Sequence, residues 1–196
     1  FLKAGYIREA EETYTRLVAQ FPGTPQAIAA NVELAKLAFE EGETREAMSL
    51  LETMASVAEN TPQQNEVLLA LGNMYQDLGL AQRAAQAYRD VAANSSEPEI
   101  LARSARALYS AGAWSEGNEV ARRIDVERLT PATAYDFLMD YGEAMLRADS
   151  ARAVALMERA HNEYPEERDM RNAGRLAKTY LALDRPAEAV ALMNSM

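Results

Sequence analysis

The side chains in this sequence whose spacing suggests chemistry are mostly basic. Arg171, Arg175 and Lys178 stand at i, i+4 and i+7, and Arg103, Arg106 and Tyr109 at i, i+3 and i+6. On a helix such spacings gather side chains toward one side. A cationic face on an acidic chain could hold an acidic segment of a partner protein or an anionic polymer. The same arginines could instead pair with neighbouring acids such as Glu99, Asp169 and Glu167. Candidates for catalysis are sparser. His161 is the one histidine and reads as an exposed surface residue; cysteine is absent, so no second soft ligand could share a metal with it. The acid pairs Glu11-Glu12, Glu40-Glu41 and Glu166-Glu167 fall at helix ends and turns, where solvated or helix-start charges are the ordinary reading. Glycine-rich nucleotide loops and a Gly-x-Ser-x-Gly elbow are missing. Neither an enzyme, a cofactor nor a metal is expected.

Composition narrows the partners. The chain of 196 residues has 30 acidic and 20 basic side chains, a formal charge of -10 and a sequence pI of about 4.7. Nucleic acid is not expected as a partner, because phosphate binding needs clustered Lys and Arg. The acid surplus is uneven: residues 1–98 hold 14 acids and 7 bases, residues 99–196 hold 16 and 13. No apolar run approaches the roughly 18–20 residues that cross a bilayer, so no direct membrane insertion is expected here. The sequence begins at Phe1, which reads as a segment cut from a longer chain.

The elements that must carry these residues announce themselves through glycine. Gly72 and Gly79 interrupt a stretch of good helix formers, and each interior glycine costs about 1 kcal/mol against alanine. The same punctuation recurs. A small residue five positions beyond each corner falls at Ala10, Ala47, Ala84, Gly117, Ala153 and Ala189, with spacings of 37, 37, 33, 36 and 36 residues. A period in the mid-thirties marks a stack of helix hairpins. Gly5, Gly42, Gly79 and Gly112 are expected to end first helices, where a left-handed residue costs glycine nothing. Gly72 and Ala177 are expected where two helices cross closely. Tyr14, Leu51, Tyr88, Met157 and Met193, one turn beyond the small residues, are expected to fill the space against the next hairpin. First helices are placed at about 25–41, 62–78, 97–111, 131–148 and 166–183, and second helices at about 5–21, 43–59, 80–94, 113–124, 150–163 and 186–196. The turn-rich stretches from Phe21, Asn60 and Ser95 separate the hairpins.

These motifs resemble the tetratricopeptide repeat (TPR): Leu71, Gly72 and Tyr75 on a first helix, Ala84 and Tyr88 on a second, closing prolines at Pro22 and Pro165. Leu176, Ala177 and Tyr180 with Ala189 and Met193 repeat it, and so do Tyr141 and Gly142 with Ala153 and Met157, there without the corner glycine. The resemblance covers the whole chain and implies an all-α, right-handed superhelical solenoid of antiparallel helix hairpins, one array over 1–196. Its units are 1–24 (partial), 25–61, 62–96, 97–130, 131–165 and 166–196. The fourth is irregular, with Gly117 inside its second helix, and reads as a degenerate repeat or as a hinge.

In the TPR family the first helices line a concave groove that usually takes extended peptides or partner helices. Carried over, the groove positions are Lys36, Phe39, Asn73, Gln76, Arg103, Arg106, Tyr109, Arg171, Arg175 and Lys178. The carboxylate clamp of chaperone-binding members is not expected, since only Asn73 stands at one of its positions. The reading is a non-catalytic protein–protein interaction scaffold. The stretch Phe21-Pro22-Gly23-Thr24-Pro25-Gln26-Ala27 and the 37-residue spacing resemble units of bacterial periplasmic TPR proteins. Those serve envelope assembly and, in some cases, exopolysaccharide export. A periplasmic setting in a larger envelope or secretion protein follows, with the cytoplasm as alternative. Two further readings are direct binding of an anionic polysaccharide, for which Phe39, Tyr109 and Tyr135 are the candidate aromatic platforms, and a structural spacer self-associating through uncapped ends.

Overall fold

A computed structural model describes residues 2–59 and 61–196, with side chains from Tyr6 onward. The readings that fell on Phe1 and Asn60 lie outside the described residues. Everything regular among those residues is helical. The chain divides into two compact units, one ending at Ser95 and one starting at Ser96.

The first unit contains α1 (Leu2–Gln20), α2 (Pro25–Glu40), α3 (Thr44–Val57), α4 (Gln64–Asp77) and α5 (Ala81–Ala93). The second contains α6 (Pro98–Ser110), α7 (Trp114–Ala121), α8 (Pro131–Met145), α9 (Ser150–Glu163), α10 (Met170–Ala182) and α11 (Pro186–Asn194). Short 3-10 turns at Val126–Arg128 and Pro165–Glu167 precede α8 and α10. Helices pack in consecutive pairs, α2 on α3, α4 on α5, α6 on α7, α8 on α9 and α10 on α11, and first helices of neighbouring hairpins also touch, α2 with α4 and α6 with α8.

The corners are built as expected. Gly42, Gly79 and Gly112 sit at φ of 90°, 72° and 77°. The following residues Glu43, Leu80 and Ala113 donate N–H to carbonyls five back, Ala38, Tyr75 and Leu108, at 2.8–2.9 Å. That pairing closes a helix through a left-handed residue. Where the sequence lacks the glycine, the chain finds two other solutions. Asp184 takes the left-handed conformation itself (φ 57°), and Arg185 donates to the Tyr180 carbonyl at 2.9 Å. Between α8 and α9 no residue has positive φ; Asp149 turns its N–H to Met145 and accepts from Arg152 N–H at 3.0 Å as the cap of α9.

The small residues are notches. A Cβ on Gly72 would lie 2.5 Å from the ring of Tyr88, and one on Gly142 would lie 2.5 Å from Met157 Cγ and 2.9 Å from the Ala153 carbonyl oxygen. Ala47, Ala84 and Ala153 are fully buried, and Leu51, Tyr88 and Met157 fill the adjoining space. Tyr88 is wholly buried, and this pushes its phenol up to about 12, with Asp77 adding to the effect. A second device repeats in both units. Tyr75 donates to Glu52 at 2.9 Å under the guanidinium of Arg83, and Tyr180 donates to Glu158 at 2.8 Å under Arg185. Each tyrosine thereby ties a first helix to the second helix of the preceding hairpin.

Four expectations are corrected. Gly5 is no corner: α1 runs through it from Leu2 to Gln20. The helix expected from 166 begins at Met170, because Asp169 caps it by accepting the Asn172 N–H at 2.9 Å, leaving residues 165–167 as a 3-10 turn. The second helix expected over 113–124 ends at Ala121. Met193 fills no space against a further hairpin: it is 40% exposed, because α11 packs on α10 and its other face, with Val190, meets no helix among the described residues.

Candidate functional site

In the first unit the candidate residues are engaged with their own surroundings. Lys36 pairs with Glu33 one turn back at 2.5 Å, and Phe39 is half-buried. The Asn73 and Gln76 side-chain oxygens both accept from the buried Tyr88 hydroxyl, at 2.8 and 3.1 Å. These amides hold the core tyrosine that fills the Gly72 notch.

The second unit holds the charged face. Asp136, Asp140 and Glu143 fall at i, i+4 and i+7 along α8, between α6 and α10. Arg106 from α6 reaches Asp136 at 3.1 Å and Asp140 at 2.7 Å. Arg175 from α10 reaches the other Asp140 oxygen at 2.9 Å, bonds Glu143 through Nε at 2.9 Å and donates to Asn172 at 2.8 Å. Asp140 therefore accepts one arginine on each oxygen and staples three first helices. Burial works against the charge of Arg175, yet Glu143 and Asp140 outweigh it and raise its pKa above the usual arginine value.

Arg106 and Arg175 found other acids than the neighbours expected for them, whereas Arg103, exposed on α6, does act on Glu99. Asp169 is the cap of α10, and Glu99 accepts the Thr130 backbone N–H at 2.6 Å. Burial raises the Glu99 carboxyl, but that bond, the threonine hydroxyls and Arg103 outweigh it and bring it below the usual range. The true partners lie about one repeat away in sequence, and their matching i, i+4, i+7 spacing on α8 was a legible signal.

Arg171 and Lys178 are exposed and make no ion pair among the described residues. Together with Arg175, Gly174 and Met170 they line a cleft of about 600 Å³. A second cleft of about 310 Å³ continues between Lys178, Thr179 and Leu146, and a third of about 510 Å³ lies between Trp114, Asn118, Glu143 and Arg147. Glu143 borders all three.

Tyr109 is not part of this surface. It is 5% exposed, fills the hollow over Gly117, where a Cβ would lie 2.4 Å from its ring, and donates to Asn118 at 3.1 Å. Burial, with Tyr141 and Asp140 nearby, drives its phenol well above the usual value. Tyr135 is likewise buried, at 2%. The aromatic ring that does face outward is Trp114, 49% exposed and stacked on Tyr109 at 5.9 Å. The sequence reading missed it, although it is the chain's only tryptophan and stands two residues past the corner glycine Gly112. Among the described residues, no cluster of three or more His, Asp or Glu is arranged to hold a metal, and no helix is long and apolar enough to cross a membrane.

No family profile and no curated protein sequence matches the chain. Solved structures do. BtubC (BKLC) from P. vanneervenii superposes with a TM-score of 0.74 at 17% identity, over 97% of this chain and 87% of that one. A tetratricopeptide repeat protein from Parabacteroides merdae ATCC 43184 gives 0.68 at 17% identity, over 100% and 74%. MamA from Desulfovibrio magneticus RS-1 gives 0.64 at 16%, over 86% and 92%. At such identities the likeness is one of fold: this is an all-α, TPR-like protein of stacked helix hairpins.

Proposed function

We propose that the chain is a non-catalytic interaction scaffold whose second unit docks an acidic segment of a partner protein along the α8–α10 face. One observation carries this reading. Arg106 and Arg175 are spent on the three α8 carboxylates Asp136, Asp140 and Glu143, so Arg171 and Lys178 remain as exposed charge beside a cleft and turn the cluster net positive, on a chain whose net charge is -10. Unpaired cations on a rigid helix face favour carboxylates arriving from solution, and such contacts weaken with salt. Repeat arrays present surfaces of this kind because each hairpin contributes one helix to a continuous wall. The link at Phe21–Ala27 supports a setting within a bacterial envelope protein, which fractionation of the parent protein's host would test.

The docking face is tested with a fluorescent glutamate-rich peptide. Reversing both free cations, Arg171→Glu with Lys178→Glu, should weaken binding about tenfold or more, each exposed contact contributing about 1 kcal/mol. Wild-type binding should also fall as salt rises from about 50 to 500 mM. Unchanged affinity in the double variant, with helicity intact, would remove this face from consideration. Arg106 and Arg175 are unsuitable for the test because they also hold α6, α8 and α10 together.

A further inference from the structure

The Trp114 cleft has no role in the charge argument, yet it is the most built feature of the second unit's surface. Four rings run in series: Trp114 on Tyr109 at 5.9 Å, Tyr109 beside Tyr141 at 6.5 Å, and Tyr141 on Phe137 at 5.6 Å. Phe137, Tyr141 and Tyr109 are buried, so the indole is backed by a fixed stack and loses little freedom on meeting a ligand. Its exposed side borders a cleft of about 510 Å³ floored by Ala144, Leu146 and Ala148 and edged by Asn118, Glu143 and Arg147. Arg147 is exposed and makes no ion pair among the described residues, whereas Glu143 is taken up by Arg175. Uncommitted charge along the run of clefts is thus positive at Arg147, Lys178 and Arg171.

We infer that the Trp114 cleft is an anchor pocket for one aromatic or large apolar side chain of an acidic partner segment, with Arg147 receiving a carboxylate beside it. This rests on the docking reading above and adds a site to it. Tryptophan and arginine on a preorganised concave patch are the residue types that dominate binding energy, and a ring laid on the indole covers apolar area that carboxylate contacts alone leave wet. The free charge selects an acidic segment as occupant, and the apolar floor requires it to carry an apolar side chain.

Trp114 is the chain's only tryptophan, so its emission reports the cleft directly. The wild-type chain is titrated with a glutamate-rich peptide carrying one phenylalanine, with its phenylalanine-to-alanine twin, and with tetragalacturonate. The inference expects a blue shift with the phenylalanine peptide alone, and about tenfold tighter binding than the twin. Arg147→Glu should weaken that peptide while leaving helicity unchanged, and Trp114→Ala, followed by anisotropy of labelled peptide, should bring the two peptides to equal affinity. Equal binding of the twins with unchanged emission overturns the anchor pocket and leaves the charged face standing. Binding of neither peptide overturns both. An emission shift with tetragalacturonate and with no peptide overturns the inference in favour of a sugar platform.

Discussion

Gly117 shows how one missing methyl group can matter in two opposing ways. An alanine there would favour the helix by about 1 kcal/mol, yet its Cβ would lie 2.4 Å from the Tyr109 ring. That ring cannot retreat cheaply, because Trp114 and Tyr141 flank it. Overpacking outweighs propensity, so Gly117→Ala should destabilise the second unit by about 1–2 kcal/mol in urea unfolding; a stabilised variant would show that the ring moves aside. His161 offers a second test. It is buried, 7% exposed, and not the surface residue a lone histidine was expected to be; its Nδ1 has no hydrogen-bond partner among the described residues, and Arg168 donates to its carbonyl at 2.7 Å. Burial, and then the charge of Arg168, push its pKa below the usual histidine value. The unfolded chain therefore binds the proton more readily than the folded one. Stability from this site is complete above the unfolded value of about 6.5 and declines as pH falls below it toward the folded pKa. Urea midpoints measured from about pH 8 to pH 5 should fall through that window, and His161→Gln should flatten the fall.

Among the elements of the second unit, α8 is the one that ties α6 to α10. Asp140 lies under both Arg106 and Arg175, so removing it frees two cations from α6 and α10 at once. Asp140→Ala should cost about 1–3 kcal/mol, less than a fully buried pair because the group keeps 23% of its exposure. A double-mutant cycle with Arg175→Ala should show coupling of about 0.5–2 kcal/mol; additive effects would mean the staple contributes nothing. The helices themselves were mostly legible in the sequence, because glycine corners and Pro at the first turn of α2, α6 and α8 are local signals. The start of α10 was not. Residues 166–169 read as helix, but the Asp169 carboxylate took the Asn172 N–H and set the boundary at Met170.

At the scale of the molecule, the division after Ser95 gives each unit its own set of buried side chains, Val32, Leu51 and Tyr88 in the first, Leu108, Phe137, Met157 and Leu176 in the second. About 100 residues are enough to fold alone. Residues 96–196 produced as a separate chain should keep a helical circular-dichroism spectrum and a cooperative thermal transition. A non-cooperative melt would show that the second unit needs the first.

What the sequence determined by itself was the hairpin stack, because helix period, corner glycines and notches such as Gly72 act over a few residues or one repeat. It also marked Arg171 and Lys178, since spacing on a single helix is a local property. Which charges remain free was settled only by tertiary packing. Arg106 and Arg175 looked equivalent to Arg171 until α8 brought Asp140 and Glu143 against them. Which ring meets solvent was settled the same way. Tyr109 lost its surface to the hollow over Gly117, and Trp114 was left outside by the same stack. Exposure belongs to a side chain and its neighbours together, and those neighbours lie up to a full repeat away along the chain.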